Sequence, residues 1–424
     1  MQRRVLLKSL VLSITLAITS NAWATASEQV LYGFKGGADG AFPSSSLVMD
    51  AAGNLYGTTA EGGNPADCPS NFAPGCGVVF QLTFSNGGWQ ESVLHAFQGG
   101  SDGQFPSGNL LFDASGNLYG TTLYGGSGTA CTSLGCGTVF ELSPGQNGNW
   151  AKTVLYEFQN GDGAFPAGLT FDASGNLYGV TTAGGANGRG EVYELSPPQQ
   201  RGGAWMQKVL FSFSNFEIQP NPVIVFDSAG NIYGTYYQLY TCFPGCGAIF
   251  QLKQTNGTWT ETDIFDFSGG GNGGEPMAGV ILDREGNVYG TGAKGGNNWG
   301  IAYKLKPVSG GKWEGIMLHN FCALNGCADG AGPQATLVMD ASGAFYGTTS
   351  AGGRCLYCGG GVVFKLSHTR FGWEERVLHA FQGGSDGASP TQSLILDGKG
   401  NLYGTTTPDP YIFPGFGTVF EVTP

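Results

Sequence analysis

Charge is scarce in this chain of 424 residues: only 12% are Asp, Glu, Lys or Arg, and just four are His. Cations are scarcer still, with 19 Lys plus Arg against 31 Asp plus Glu and a net charge of −12. Residues 1–24 hold three of those cations, Arg3, Arg4 and Lys8, and no acid, so without them the charge falls to −15. Such a surface repels phosphate backbones and anionic headgroups, which sets nucleic acid and membrane surfaces aside as partners. Long apolar runs are also missing. The run from Leu10 to Ile18 is too short to span a bilayer, and no other stretch of the chain is long enough either. No 3.6-residue apolar pattern follows it, which argues against a helical fold. There is no Ser or Cys nucleophile motif, and no glycine-rich loop ahead of a helix.

What the first residues do carry is an export signal. Arg3, Arg4 and Lys8 precede the apolar run, and Ala22-Trp23-Ala24 offers a small-x-small cleavage site. We expect a signal peptide over 1–24 and a single mature domain over 25–424; the alternative is an uncleaved anchor. The sequence closes at Phe420-Glu-Val-Thr-Pro424 without an apolar tail, so the expected product is soluble, monomeric, and secreted or periplasmic. The ten cysteines fall in close pairs: Cys68/Cys76, Cys131/Cys136, Cys242/Cys246, Cys322/Cys327 and Cys355/Cys358. In an exported chain such pairs read as disulfides, each closing a short loop and contributing about 2–3 kcal/mol. A four-thiolate zinc site or cross-pairing among Cys322, Cys327, Cys355 and Cys358 are the rival arrangements.

Glycine is abundant, at 75 residues, and it sits at fixed phases of a repeat. The phrase Asp50-Ala-Ala-Gly-Asn-Leu-Tyr-Gly-Thr-Thr59 returns with small changes from Asp113, Asp172, Asp227, Asp283, Asp340 and Asp397. The spacings are 63, 59, 55, 56, 57 and 57 residues, the mark of a repeat architecture. Each period holds four strand signals, here strands a to d. In the first they are Leu47-Val-Met-Asp50, Asn54-Leu-Tyr-Gly-Thr-Thr59, Gly77-Val-Val-Phe-Gln-Leu82 and Trp89 through Phe97. The Asp is read as an Asx-turn cap between a and b, with Gly53 and its counterparts supplying a positive φ.

Four antiparallel strands in each of seven periods, without helices, predict an all-β, seven-bladed β-propeller. The ends agree. The last repeat stops after strand c, and Gln29-Val-Leu-Tyr-Gly-Phe34 matches strand d, so the N-terminal strand is expected to complete the seventh blade. A linear β-solenoid, the alternative, would need no such offset.

These phrases resemble the GloVer tandem repeat, a family of exported bacterial repeat proteins with varied C-terminal anchors. The resemblance rests on V-L-x-x-F, G-G-x-D-G-x-x-P, D-x-x-G-N-L-Y-G-T-T and G-x-V-F-x-L, in order and in phase over residues 29–422. It implies the repeat fold and no settled activity. This sequence departs from the family in lacking a terminal anchor. The Asp-x-x-Gly-Asn-x-Tyr core alone also resembles NHL-repeat and sugar-lactonase-like propellers, but that short motif is mostly a turn.

In such a meander the b–c and d–a connections share one face, and every cysteine pair lies in them. Rigid scaffold plus variable loops favours binding there. Aromatics that break the repeat mark a candidate saccharide or protein surface: Phe216, Tyr236, Tyr237, Tyr240, Phe243, Trp299, Tyr411 and Phe413. Packing beneath the disulfides is the alternative role. The d–a loops carry Asp39, Asp102, Asp162, Asp329 and Asp386, read either as caps on their own loops or as a Ca²⁺ site; no other cofactor is expected. His95, His319 and His379 share one strand-d position with Tyr32, Tyr156, Phe211 and Phe265, which fits aromatic filling rather than acid–base work. The leading expectation is a binding scaffold. A metal-dependent lactonase, hydrolase or lyase and a structural envelope component are the alternatives, although Leu47-Val-Met, Leu110-Leu-Phe and Leu394-Ile-Leu offer no ligands to a channel wall.

Overall fold

The computed structural model describes residues 26–64, 68, 74–128, 130–200, 202–214, 218–238, 246–354, 360–407 and 415–424. These form seven antiparallel sheets arranged as a β-propeller. In the second blade, strands a to d are Gln104–Phe112, Leu118–Tyr124, Thr138–Pro144 and Trp150–Glu157. The only helical pieces among the described residues are single 3-10 turns in loops, such as Gly100–Asp102. In the seventh blade the outer strand comes from the N-terminus: Ser27–Gly33 pairs antiparallel with Thr418–Thr423, placing Glu28 opposite Val422. That blade is tied to the first by Phe42 N–H donating to the Phe416 carbonyl (2.8 Å) and Ser393 N–H to Ser46 Oγ (3.1 Å).

The repeated phrase folds as its chemistry requires. Asp50 Oδ1 accepts from the backbone N–H of Ala52 and Asn54 (both 2.9 Å), and Oδ2 accepts from Asn54 Nδ2 (2.8 Å) and Tyr56 Oη (3.0 Å). The arrangement recurs at Asp113, Asp172, Asp227, Asp283 and Asp397. At Asp340 the amide bond is missing because Ala344 replaces Asn. The seven aspartates are therefore turn caps, as the sequence suggested.

Glycine at the start of strand c has a second cause. A Cβ on Gly137 would lie 2.4 Å from Pro166 Cδ of the next blade, and one on Gly417 equally close to Pro43 Cδ. The prolines Pro106, Pro276, Pro333 and Pro390 pack on the preceding blade in the same way. Phe42, Phe105 and Phe165, just before Pro43, Pro106 and Pro166, hold φ of 57°, 53° and 58°. That turn lets Phe105 N–H reach the Cys76 carbonyl and Phe165 N–H the Cys136 carbonyl of the blade before.

Between blades the core is aromatic. The Phe ending strand d meets, edge to face, the strand-c aromatic of the next blade: Phe97 on Phe140 (5.3 Å), Phe158 on Tyr193 (5.1 Å), Phe381 on Phe420 (5.0 Å). Such pairs contribute about 0.5–1.5 kcal/mol beyond burial. Every strand d also carries a register shift, between Val30 and Tyr32, Val93 and His95, Val377 and His379, and their equivalents. A bulge inserts one unpaired residue and turns its neighbours, which brings the Tyr or His side chain to the d–a loop.

Candidate functional site

The d–a and b–c connections share a face, and in five blades a backbone bond ties them together. The second Gly of each b–c pair donates to the d–a loop: Gly63 to Gly37, Gly126 to Gly100, Gly185 to Asn160, Gly296 to Gly270 and Gly353 to Cys327. Disulfides Cys68–Cys76, Cys131–Cys136 and Cys322–Cys327 stiffen this face, and Cys246 is also disulfide-bonded. The Cys322–Cys327 bond rules out the four-thiolate zinc site, since a bridged sulfur is no thiolate, and it rules out cross-pairing with Cys355 or Cys358. Cys242, Cys355 and Cys358 lie outside the described residues.

Each loop aspartate accepts backbone N–H bonds from its own loop. Asp39 accepts from Lys35 N–H (2.9 Å), Gly37 N–H (3.3 Å) and Tyr32 Oη (2.9 Å). Asp162 accepts from Gln159 N–H (2.7 Å) and Tyr156 Oη (2.5 Å), and Asp329 from Ala323 and Leu324 N–H (2.9 and 3.1 Å). Asp386 holds Gln382 N–H (2.9 Å). Asp102 takes Gln98 N–H (2.8 Å), His95 Nε2 (3.0 Å) and Lys152 Nζ (2.8 Å). Burial opposes ionisation of Asp102, but His95 and Lys152 outweigh it and bring its pKa down to about 2. Among the described residues no three metal-ligating side chains converge. Their oxygens are engaged by neighbouring donors, the capping role that the sequence offered for them.

The histidines fill aromatic positions. His95, His319 and His379 stand edge-on to Phe97, Phe321 and Phe381. Their Nε2 atoms also approach Asp102, Asp329 and Asp386 at 3.0, 3.4 and 3.4 Å. The sequence reading missed this pairing: the spacing from Tyr32 to Asp39, His95 to Asp102 and His379 to Asp386 recurs, but it does not say which way the side chain turns.

Three of the eight candidate aromatics lie among the described residues. Tyr236 is 7% exposed, stacks on Phe250 and bonds Asp263 at 2.7 Å, so it is core. Tyr237 is half-buried and bonds Gln219 at 2.7 Å. Trp299 lies under Lys294, whose ammonium is 5.9 Å from the ring centre. Phe216, Tyr240, Phe243, Tyr411 and Phe413 lie outside the described residues.

The structure offers a different site, on the axis. A cavity of about 400 Å³ is lined by the innermost strand of all seven blades. The wall falls one residue earlier than expected. Leu47, Leu110 and Leu394 are each about 1% exposed and pack between blades, while Ser46, Asn109 and Ser393 ahead of them face the cavity. Some of these groups stitch the ring. Gly279 N–H donates to Thr336 Oγ1 (3.1 Å), Thr336 N–H to Ser393 Oγ (3.0 Å) and Ser393 N–H to Ser46 Oγ (3.1 Å). Asn109 mimics a strand edge, donating to the Leu169 carbonyl (3.0 Å) and accepting its N–H (3.1 Å). Each stitched hydroxyl accepts one bond and retains its own proton as a donor. Thr391 and Gln392 line the same wall. No residue lining the cavity carries charge.

Residues 219–424 match the Gloeobacter/Verrucomicrobia repeat family. No curated protein matches the chain. Solved structures share the fold at low identity. A family PL25 ulvan lyase is 10% identical with a TM-score of 0.50, covering 90% of this chain and 94% of its own. The periplasmic gluconolactonase of Pseudomonas aeruginosa is 14% identical with a TM-score of 0.44, covering 80% and 85%. A protein of unknown function from Dyadobacter fermentans is 12% identical with a TM-score of 0.44, covering 94% and 100%.

Proposed function

We propose that this chain, whose residues 219–424 belong to the Gloeobacter/Verrucomicrobia repeat family, is an exported scaffold that binds a neutral saccharide in its axial cavity. The observation that carries this reading is the uncharged wall, in which the first, second, sixth and seventh blades contribute hydroxyl and amide side chains and the third to fifth contribute apolar ones such as Ala167, Val223 and Met277. A sugar presents a dense set of hydroxyls and no charge, and a site of matched neutral donors and acceptors recognises it without desolvating an ion. Gln334, Thr391 and Gln392 are the side chains with most capacity left to offer: only a 3.4 Å bond from Gln334 Nε2 to Ser350 engages any of them. Binding rather than turnover is supported by the lining itself, where no carboxylate or imidazole stands ready for proton transfer. Export accords with the disulfides, which persist in oxidising compartments, and no described helix is long and apolar enough to cross a membrane.

The test is calorimetric titration of the mature protein with the best ligands from a glycan array. Replacing Thr391 and Gln392 by Ala together should weaken binding about tenfold or more, from the loss of two or three hydrogen bonds near 1 kcal/mol each. The melting temperature should be unchanged. Unaltered affinity in the double variant would move the site off the axis.

A further inference from the structure

At one position of strand d the seven blades present different side chains to the same place. Glu28, Glu91, Lys152, Gln207, Glu261, Gly315 and Glu375 are equivalent, each opposite the same strand-c position: Val422, Leu82, Leu142, Leu195, Leu252, Leu305 and Leu366. Gly315 has no side chain and the loop before Glu261 lies partly outside the described residues; at the other five seams the side chain faces the d–a loop of the preceding blade. Two seams show what the position is for. Lys152 Nζ donates to the Asp102 carboxylate (2.8 Å) and to the Asp102 main-chain carbonyl. Gln207 Nε2 donates to the Asp162 main-chain carbonyl at 3.1 Å. In both, a hydrogen-bond donor crosses from one blade to the loop of the blade before.

Four other seams hold glutamate there, and at three of them the facing loop is fully described. Glu91 faces the Asp39 loop, Glu375 the Asp329 loop and Glu28 the Asp386 loop. In all three the Oε1 atom is buried and has no hydrogen-bond partner. An ionised glutamate has nothing to donate, and it would set a second carboxylate beside the first. A protonated glutamate has the shape and the donor of the glutamine at Gln207. We propose that Glu91, Glu375 and Glu28 are proton-operated seam closures, each donating its carboxyl proton to the aspartate loop of the neighbouring blade. The ring is then tight while they are protonated and loosens at three seams when they ionise.

The surroundings favour the proton. Burial, then the facing aspartate, brings Glu375 up to about 8 and Glu28 and Glu91 up to about 7, against 4.5 in an open chain. Lys35 is the one cation facing Glu91, and it only partly offsets Asp39. Tyr32 faces the same pair; at the other two seams the remaining titratable groups are His319 and His379, whose pKa values burial lowers despite their aspartates. These imidazoles are therefore neutral over the range in which the glutamates titrate. Because the folded-state values are raised, the stabilisation is complete below pH 4.5 and is lost as pH rises through about 7 to 8.

The experiment is thermal melting of the mature protein from about pH 5 to about pH 9 in low-calcium buffer. Beside it runs the triple variant Glu28→Gln, Glu91→Gln, Glu375→Gln, which fixes the protonated shape and uses a residue the fold already accepts at Gln207. The wild type should lose several degrees across this range. The variant should lose much less and melt above the wild type at the alkaline end. Parallel profiles would overturn the proposal. So would a wild-type melting point restored at alkaline pH by millimolar Ca²⁺, which would make the seams cation sites. Should the triple variant fail to fold, carbon-13 shifts assigned to the carboxyls of Glu28, Glu91 and Glu375 in the wild type decide: these three titrating near 7 to 8 support the closures, and these three titrating near 4.5 refute them.

Discussion

At the scale of single residues, the most repeated chemistry is the aspartate that caps strand a. Burial alone would raise the pKa of Asp172, but bonds from Asn176, Ser174 and Tyr178 outweigh it and hold it below the ordinary carboxylate value. The same holds at Asp50, Asp113, Asp227, Asp283, Asp340 and Asp397. A lowered value means stability that is present at neutral pH and is lost as pH falls below about 4. Asp172→Ala should therefore cost about 1–2 kcal/mol at neutral pH, and urea denaturation at pH 7 and pH 3 should show that cost shrinking in acid. The spacing of the phrase made these caps legible in the sequence, because Asp, Gly and Asn each have one reason to stand where they do. The partners of His95, His319 and His379 were not legible. Their pairing depends on a bulge in strand d that only the register reveals.

At the scale of elements, the blade and its joints rest on glycines that do different work. Gly116 turns at φ 84° with nothing near a Cβ, whereas Gly137, at φ 100°, would set a Cβ against Pro166 and the Thr122 carbonyl. Gly116→Ala should cost about 1 kcal/mol from backbone strain alone. Gly137→Ala should cost clearly more, because the next blade must move as well, and paired denaturation curves would rank the two. Disulfides act on the same joints. Removing Cys131–Cys136, whose residues are five apart, should cost about 2 kcal/mol and leave the fold intact; melting of the Cys131→Ala, Cys136→Ala variant measures it. Strand boundaries were readable because β-branched and aromatic runs stop at these glycines. The packing of a proline on the glycine one blade away was not, since sequence patterns report neighbours within a repeat better than contacts between repeats.

At the scale of the whole molecule, the ring was read from the phase of its ends, and Ser27–Gly33 indeed pairs with Thr418–Thr423. Deleting residues 26–33 leaves the edge of Thr418–Thr423 unpaired and should lower the melting temperature by many degrees while promoting association through that edge. Size-exclusion chromatography with light scattering would detect both monomer loss and aggregation. The binding region was less legible. Sequence drew attention to aromatics that break the symmetry, and burial assigns Tyr236 to the core instead. The cavity was hidden because its wall mixes small polar residues, such as Ser46, Asn109, Thr336 and Ser393, with small apolar ones, and these look like ordinary loop composition until seven strands converge on one axis. A crystal structure of the mature protein with an oligosaccharide selected on a glycan array is the most direct measurement. The account predicts density for the sugar on the axis, within hydrogen-bond distance of Thr391 and Gln392. Density only among the outer loops, with the axial cavity holding water alone, would contradict it.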